Sequence, residues 1–107
     1  MTLIEINAEI YNRLKAICPT FPIVEPTSTQ KLPFAVYSID SATDFNKDGA
    51  RSADFTIKVL ETTYEKMLSK TDSILSAFGD CTSRKVQTGI LQGSQGYIGI
   101  INLSINL

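Results

Sequence analysis

The chain has 107 residues, of which 43% are hydrophobic and 20% charged, and its formal net charge is −1, a composition typical of one folded domain over residues 1–107. The balanced charge is unlike the basic surface of a nucleic-acid-binding protein, and no apolar run approaches the ~20 residues that cross a bilayer. The N-terminus has no signal-peptide pattern, so we expect synthesis in the cytoplasm. In that compartment we expect Cys18 and Cys81 to be reduced thiols. A disulfide between them is the less favoured alternative.

The first predicted element is a helix over about residues 3–18. Thr2 and Glu5 have the spacing of a capping box, in which each side chain accepts from a free backbone N–H of the other residue. Pro19 ends the helix because it has no N–H and disfavours helical geometry in the residue before it. Apolar residues recur at helical spacing along one face: Ile10, Tyr11, Leu14, Ile17 and Cys18.

The segment from Pro19 to Pro33 is interrupted by prolines and by a polar run, and it predicts a connector. Phe21, Ile23 and Val24 are its apolar residues. They form either a short edge strand or an anchor that holds the loop against the core.

The segment from Phe34 to Thr62 predicts a long β-hairpin, since two strand-like runs flank a stretch of turn-forming residues. Asn46-Lys47-Asp48-Gly49 suits a type I turn, with Gly49 in the left-handed conformation. A three-residue loop then places the large apolar side chains of both strands on one face. The expected pairs are Tyr37 with Val59, Ile39 with Ile57, Ser41 with Phe55, and Asn46 with Ala50.

The length of this hairpin is unusual for so small a domain. Strands of about twelve residues reach roughly 40 Å, whereas a compact domain of this size is about 35 Å across. Beyond Ile39 and Phe55 the core face has few apolar residues, so we expect the segment Ser41–Asp54 to protrude. An isolated two-stranded ribbon is marginal in water; it is either flexible or, as we favour, packed against another chain. The candidate assembly interface is its tip: Asp44, Phe45, Asn46, Lys47, Asp48 and Arg51.

A second helix and a second hairpin complete the chain. Thr62 and Glu65 repeat the capping-box spacing and predict a helix from about 63 to 78. Gly93-Ser94 predicts a two-residue turn that pairs Val86 with Ile101, Thr88 with Gly99, and Ile90 with Tyr97. The order α-β-β-α-β-β predicts an α+β, two-layer fold: an antiparallel sheet with two helices packed on one face and a long protruding β-hairpin.

One stretch has the beginning of a metal-binding motif. Asp44-x-Asn46-x-Asp48-Gly49 matches the first half of a calcium-binding EF-hand loop. The twelfth position of that loop needs a bidentate Glu, and here it is Phe55. The flanks also read as strands, so a hairpin turn is the better interpretation and we expect no metal.

Catalytic patterns are weak. Asp40, Asp44, Asp54 and Glu61 include candidates for an acid–base pair, but solvated surface charges are the favoured interpretation. Because the chain has no histidine, a Ser-His-Asp triad cannot be built. We expect no enzyme, no catalytic residue and no cofactor.

Three features occur together in this chain: the run Leu32-Pro33-Phe34-Ala35-Val36-Tyr37, the long hairpin, and the run from Phe55 through Thr62-Thr63-Tyr64-Glu65 into an amphipathic helix. Together they resemble the tail terminator (tail completion) proteins of long-tailed bacteriophages and prophages. The similarity covers roughly residues 4–80. It implies a small α+β subunit that closes into a ring, typically a hexamer, at the head-proximal end of the tail tube. There the ring stops tube polymerisation and offers a surface for joining the capsid.

The partners that the resemblance implies are other copies of the chain, the tail-tube protein and the head–tail connector proteins. The implied location is the bacterial host cytoplasm during assembly and the virion tail afterwards. Two alternatives stay open: a head–tail neck or minor tail component, and a small host module that binds a ligand or peptide.

Overall fold

A computed structural model describes residues 2–21, 33–43, 49–90 and 96–106, apart from the side chains of Ser83 and Arg84. Its elements in chain order are α1 (Leu3–Lys15), β1 (Thr20–Phe21), β2 (Phe34–Thr43), β3 (Ser52–Glu61), α2 (Tyr64–Ala77), β4 (Thr82–Ile90) and β5 (Tyr97–Asn106). The strands form a sheet in the order β1-β2-β3-β5-β4. The α+β class is therefore confirmed.

The sheet is mixed, because β1 runs parallel to β2 whereas the other neighbours are antiparallel. The prediction of a purely antiparallel sheet was wrong in this respect. Thr20 pairs with Ala35, and the Ala35 N–H donates to the Pro19 carbonyl at 2.8 Å. Of the connector's apolar residues, Phe21 lies in this edge strand, and Ile23 and Val24 lie outside the described residues.

Both helices pack on one face of the sheet, as predicted: α1 covers β1 and β2, and α2 covers β3 and β5. The core lies between these layers, and the rings of Phe55 on β3 and Phe78 after α2 are 5.5 Å apart at its centre. Fully burying a side chain of this kind contributes about 1.5–3 kcal/mol. The largest core side chains are Phe55, Phe78, Ile6, Ile10, Leu14, Ile57, Met67, Ile74, Ile101 and Leu103.

The start of α1 agrees with its predicted capping box. The Glu5 N–H donates to Thr2 Oγ1 at 3.2 Å, and the Thr2 N–H donates to Glu5 Oε1 at 2.9 Å. The helix ends at Lys15 rather than at residue 18. Beyond it the Leu14 carbonyl accepts twice: from the Ile17 N–H at 2.9 Å, three residues on as in a 3₁₀ turn, and from the Cys18 N–H at 3.1 Å.

The start of α2 is one residue later than its predicted capping box. Thr63 is the N-cap, and its hydroxyl accepts from the Lys66 N–H at 3.2 Å. The Thr62 N–H donates to the Glu61 carboxylate at 2.9 Å, rather than to Glu65 as the predicted capping box requires. The bond keeps Thr62 beside the end of β3, so the helix begins with Tyr64.

The predicted alignment of β2 with β3 was wrong by two residues. Tyr37 pairs with Ile57, and Ile39 pairs with Phe55. A shift of two leaves every side chain on the same face, since alternate residues of a strand share a face. The hydrophobic pattern therefore could not distinguish the two alignments.

An irregularity at Asp40 then changes which residues of β2 face the core. Ile39 pairs with Phe55 but Ser41 pairs with Asp54, so Asp40 is an extra residue of the kind found in a β-bulge. Beyond it, Ala42 packs against the core, and Ser41 contacts Asp54 on the other face.

The predicted alignment of the second hairpin is confirmed. Val86 pairs with Ile101, Thr88 with Gly99, and Ile90 with Tyr97. The Gly93-Ser94 turn itself lies outside the described residues.

Candidate functional site

The sheet face that points away from the helices has two different halves. Near the start of β2 it is apolar, with Phe34 and Val36 buried and the ring of Phe21 edge-to-face with Phe34 at 6.1 Å. Towards the end of β2 it is made of hydroxyl, carboxylate and amide side chains. We call this second half the polar face; its members are Ser38, Asp40, Ser41, Thr43, Ser52, Asp54, Thr56, Asn102 and Ser104.

The carboxylate of Asp40 is one of two centres of the polar face. Ser38 Oγ donates to its Oδ1 at 3.1 Å, and the Thr56 hydroxyl donates to its Oδ2. The Thr56 oxygen also lies 2.8 Å from Asn102 Oδ1. These contacts connect β2, β3 and β5 across the sheet.

The carboxylate of Asp54 is the other centre. Ser41 Oγ donates to its Oδ2 at 3.3 Å, and the Ser104 hydroxyl donates to its Oδ1. The hydroxyls of Thr43 and Ser52 pair with each other one step further along. The polar face is thus a set of side chains held by one another, and hydroxyls of this kind supply donors and acceptors to a protein partner.

A shallow cavity of about 430 Å³ lies on this face, and Asp40, Asp54, Lys85 and Asn102 are among its lining residues. The structure therefore brings together two of the carboxylates considered for acid–base chemistry. Each already accepts from hydroxyl groups, and the cationic side chain among the lining residues is that of Lys85. The geometry is that of a hydrogen-bonded contact surface rather than of a nucleophile beside a base.

The remaining candidate carboxylate, Glu61, lies at the other end of β3. It is 2% exposed and faces a separate cavity of about 570 Å³ together with Pro33, Thr62, Lys66, Ser69 and Lys70. Most of this lining is charged or carries hydroxyl groups. Asp44, the fourth candidate, lies outside the described residues.

The predicted interface at the hairpin tip is described only in part. Asp44, Phe45, Asn46, Lys47 and Asp48 lie outside the described residues. Arg51 is exposed, and its N–H donates to the Thr43 carbonyl at 3.2 Å. Gly49 has φ 110°, the left-handed conformation that the turn chemistry predicted and that a side chain would strain.

The expectation that Ser41–Asp54 leaves the domain as an isolated ribbon was wrong for its strand residues. On the far side of β3, Ser52 pairs with Asn106, Ala53 with Ile105, and Asp54 with Ser104. Ala50 and Ala53 are each 2% exposed. Pairing with β5 is the main physical reason. The bulge at Asp40 adds to it, because it turns Ala42 towards the core where the predicted register placed Ser41.

A charged pair joins α1 to the segment after α2. Arg13 donates to both carboxylate oxygens of Asp80, at 2.6 and 3.0 Å, and its guanidinium lies 5.1 Å from the centre of the Phe78 ring. The Arg13 hydrogen bonds lower the pKa of Asp80 to about 2. This pair lies on the helix side of the sheet, whereas the polar face is on the opposite side, so we assign the pair a structural role.

Both cysteines are free thiols, Cys18 buried and Cys81 partly buried. Burial raises the pKa of both, that of Cys81 to about 11. Neither is therefore prepared for nucleophilic chemistry at neutral pH.

Within the described ranges, no set of three or more His, Cys, Asp and Glu side chains is placed to hold a metal ion. In the same part of the chain, no helix has the length and apolar character needed to cross a bilayer.

Sequence reasoning missed a group of exposed apolar side chains on the helix side of the sheet. Tyr64 and Leu68 of α2, and Val86 and Ile90 of β4, are between 37% and 71% exposed. The alternation along β4 is that of a half-buried strand, so the pattern predicts core positions. Only the position of α2, over β3 and β5, shows that they are uncovered.

The fold is similar to that of a known bacteriophage protein. The structure of the gp17 protein of bacteriophage SPP1 superposes with a TM-score of 0.57 over 94% of this chain and 87% of that chain, at 13% sequence identity. No family model matches the sequence, and no curated protein matches it. At this identity the comparison establishes a shared fold.

Proposed function

We propose that this chain is a structural protein of a bacteriophage or prophage tail. It forms a ring at the head-proximal end of the tail tube, ends tube polymerisation there, and provides the surface to which the head is joined. Its partners in this role are further copies of itself, the tail-tube protein and the head–tail connector proteins. It acts as an assembly component without catalysis.

The observation that carries the proposal is the likeness of the whole fold to the gp17 protein of bacteriophage SPP1, which extends over 94% of this chain. The sequence supports it independently, through the run Leu32–Tyr37 and the strand that leads through Thr62-Thr63 into an amphipathic helix. Leu32 lies outside the described residues, and Phe34–Tyr37 are the buried start of β2.

The polar face is compatible with an assembly role. Its hydroxyls and carboxylates hold one another across β2, β3 and β5, so a partner meets a surface that is already ordered. Pre-ordered side chains lose less conformational freedom on binding.

The test is tube assembly with the tail-tube protein of the same phage or prophage genome. Purified tube subunits polymerise with and without this chain, and negative-stain images give the length distribution and the number of capped ends. We expect shorter tubes with a ring-shaped density at one end. Tubes of unchanged length without end density would refute the terminator role. Rings that bind completed heads but leave tube length unchanged would instead support a neck component.

The hairpin tip remains our candidate for the contact with the tube. Deleting the tip is a poor test, because Ala50 is buried at 2% exposure and its loss would disturb the core. Reversing the charge of Lys47 and Arg51 avoids that problem, since Arg51 is exposed. We expect K47E/R51E to keep its thermal stability but to terminate tubes less efficiently. Lys66→Glu, on the exposed side of α2, is the matched control.

A further inference from the structure

The exposed apolar side chains of the helix layer form two separate surfaces. One lies between α2 and β4 and contains Tyr64, Leu68, Val86 and Ile90, which we call the groove. The other lies along α1 and contains Ile4 and Tyr11, with Ala8 between them, which we call the ridge. Ile4 at 82% and Ile90 at 71% are the most exposed of the large apolar side chains in the described ranges.

The groove exists because the sheet is wider than the helix layer. β4 is the last strand of the sheet, and α2 packs on its neighbours β5 and β3. Val86 and Ile90 pair with Ile101 and Tyr97, whose side chains are on the helix side. Their own side chains therefore point to the helix side, at the foot of α2 and without a helix above them.

The wall of the groove is one flank of α2. Tyr64 and Leu68 are one turn apart and so lie on the same side of the helix, and the ring of Tyr64 is edge-to-face with Tyr97 at 5.8 Å. The other flank faces α1, because Lys70 Nζ donates to the Ile17 carbonyl at 3.1 Å. Asp72, one turn beyond Leu68, places an exposed carboxylate at the end of the groove.

The ridge is a continuous stripe of α1. Ile4, Ala8, Tyr11 and Lys15 follow the spacing i, i+4, i+7 and i+11, which places them on one side of a helix. Tyr11 contacts Tyr37 of β2 with ring centres 6.4 Å apart. Arg13, on the opposite side of α1, binds Asp80 and contacts Phe78 after α2, so the ridge faces away from α2. Lys15 Nζ lies 5.5 Å from the centre of the Tyr11 ring and gives the ridge a positive end.

We infer that the ridge of one copy of this chain docks into the groove of the next copy. The two surfaces are complementary in shape, a convex helix and a step between helix and strand, and in charge, Lys15 against Asp72. They also lie towards opposite edges of the sheet, since α1 covers β1 and β2 and the groove ends at β4. A contact between unlike surfaces on opposite sides is head-to-tail, and it forms a ring when the rotation between successive copies closes on itself.

The inference rests on the proposed function in that it supplies the copy-to-copy contact of the ring. A two-fold pairing of like surfaces would instead join groove to groove or ridge to ridge, and would leave Lys15 and Asp72 without their opposite charges.

Cross-linking between variants that each carry one introduced, exposed cysteine tests the contact even when association is weak; Cys18 is still present in them but is buried. In a Cys81→Ala background, Ile4→Cys and a mass-tagged Ile90→Cys are mixed and treated with a short bismaleimide. Both positions are highly exposed, so we expect both variants to keep the wild-type melting temperature. The mixed 4–90 product should exceed random pairing several-fold. Gln87→Cys, exposed on the same strand but on the other face of the sheet, should give no such excess.

Charge reversal adds a second readout. Lys15→Glu on the Ile4→Cys chain should lower the yield of the mixed product, and Asp72→Lys on the Ile90→Cys chain should restore it. A mixed product at the level of random pairing, or an excess of 4–4 or 90–90 product, overturns the head-to-tail contact. An equal yield from Gln87→Cys overturns it as well.

The outcome is separable from that of the tube assay. A head-to-tail product in a protein that leaves tube length unchanged would keep this contact and refute the terminator role. Controlled tube length without that product would keep the terminator role and refute this contact.

Discussion

Gly99 of β5 is the point where α2 comes closest to the sheet, and we expect Gly99→Ala to destabilise the fold. A methyl group at this position would lie 2.6 Å from Thr71 Oγ1 and 3.2 Å from both Met67 Sδ and Val59 Cγ1. The first distance is shorter than any normal contact. Thr71 cannot turn away freely, because its hydroxyl is buried and donates to the Met67 carbonyl at 2.8 Å.

The expected cost follows from these contacts. Overpacking a well-packed core costs about 1–3 kcal/mol, and replacing Gly by Ala returns about 0.4–1 kcal/mol through the unfolded chain. We therefore expect a net loss of about 1–2 kcal/mol in the free energy of unfolding. For a domain of this size each kcal/mol lowers the melting temperature by roughly 4 °C.

Urea unfolding followed by far-UV circular dichroism measures the change. Gly89→Ala on β4 is the matched control, since its methyl group would meet Ile98 Cγ2 at an ordinary 3.6 Å and should not destabilise. In a Thr71→Ala background the cost of Gly99→Ala should fall, because the closest atom is removed; coupling of about 0.5–3 kcal/mol is usual between contacting residues. Equal stability of the two alanine variants, or strict additivity with Thr71→Ala, would refute the reasoning.

Three further predictions concern single side chains. Thr63→Ala should cost about 1 kcal/mol of unfolding free energy as the lost N-cap of α2, and Thr62→Ala clearly less; the reverse order in urea titrations would contradict the assigned cap. The pKa of Asp80 is lowered to about 2 by Arg13, so its ionised form stabilises the fold above the ordinary carboxyl pKa and this contribution disappears as the pH falls to about 2. Asp80→Asn should therefore melt below the wild type at neutral pH and approach it between about pH 4 and pH 2; a constant gap would contradict this. The pKa of Cys81 is raised to about 11, mainly by burial, so its alkylation at pH 7 should be roughly 100-fold slower than that of a free cysteine; an equal rate, followed by mass spectrometry, would refute the raised value.

The two hairpins show why sequence patterns predict some registers and not others. In the second hairpin the predicted pairs Val86–Ile101 and Ile90–Tyr97 are those observed. In the first, the hydrophobic faces were right but the register was wrong by two, because a two-residue shift preserves the faces and Asp40 adds an extra residue that no local pattern marks. The distal strand residues looked unsupported for a separate reason: the sequence did not show that β5 pairs with β3 as far as Ser52.

For the candidate surfaces too, the sequence predicted some features and only the structure showed the others. Asp40 and Asp54 were identified from the sequence as surface carboxylates, but β5 contributes to both of their surroundings. Ser104 donates to Asp54, and Thr56, which donates to Asp40, also contacts Asn102. Residues nearly fifty positions away in the chain carry no signal of that contact. The candidate interface residues Asp44–Asp48 stay a prediction.

The sequence by itself determined the α+β class, both helices with the capping box of the first, and the faces of the long strands other than β2 beyond Ile39, because these depend on spacing and on chemistry within a few residues. Tertiary structure decided the register of the first hairpin, the parallel edge strand, and which apolar side chains stay exposed. Val86 and Ile90 have the pattern of core residues and are exposed only because α2 covers β3 and β5 and stops short of β4. Exposure depends on what packs above a residue, and that partner lies elsewhere in the chain.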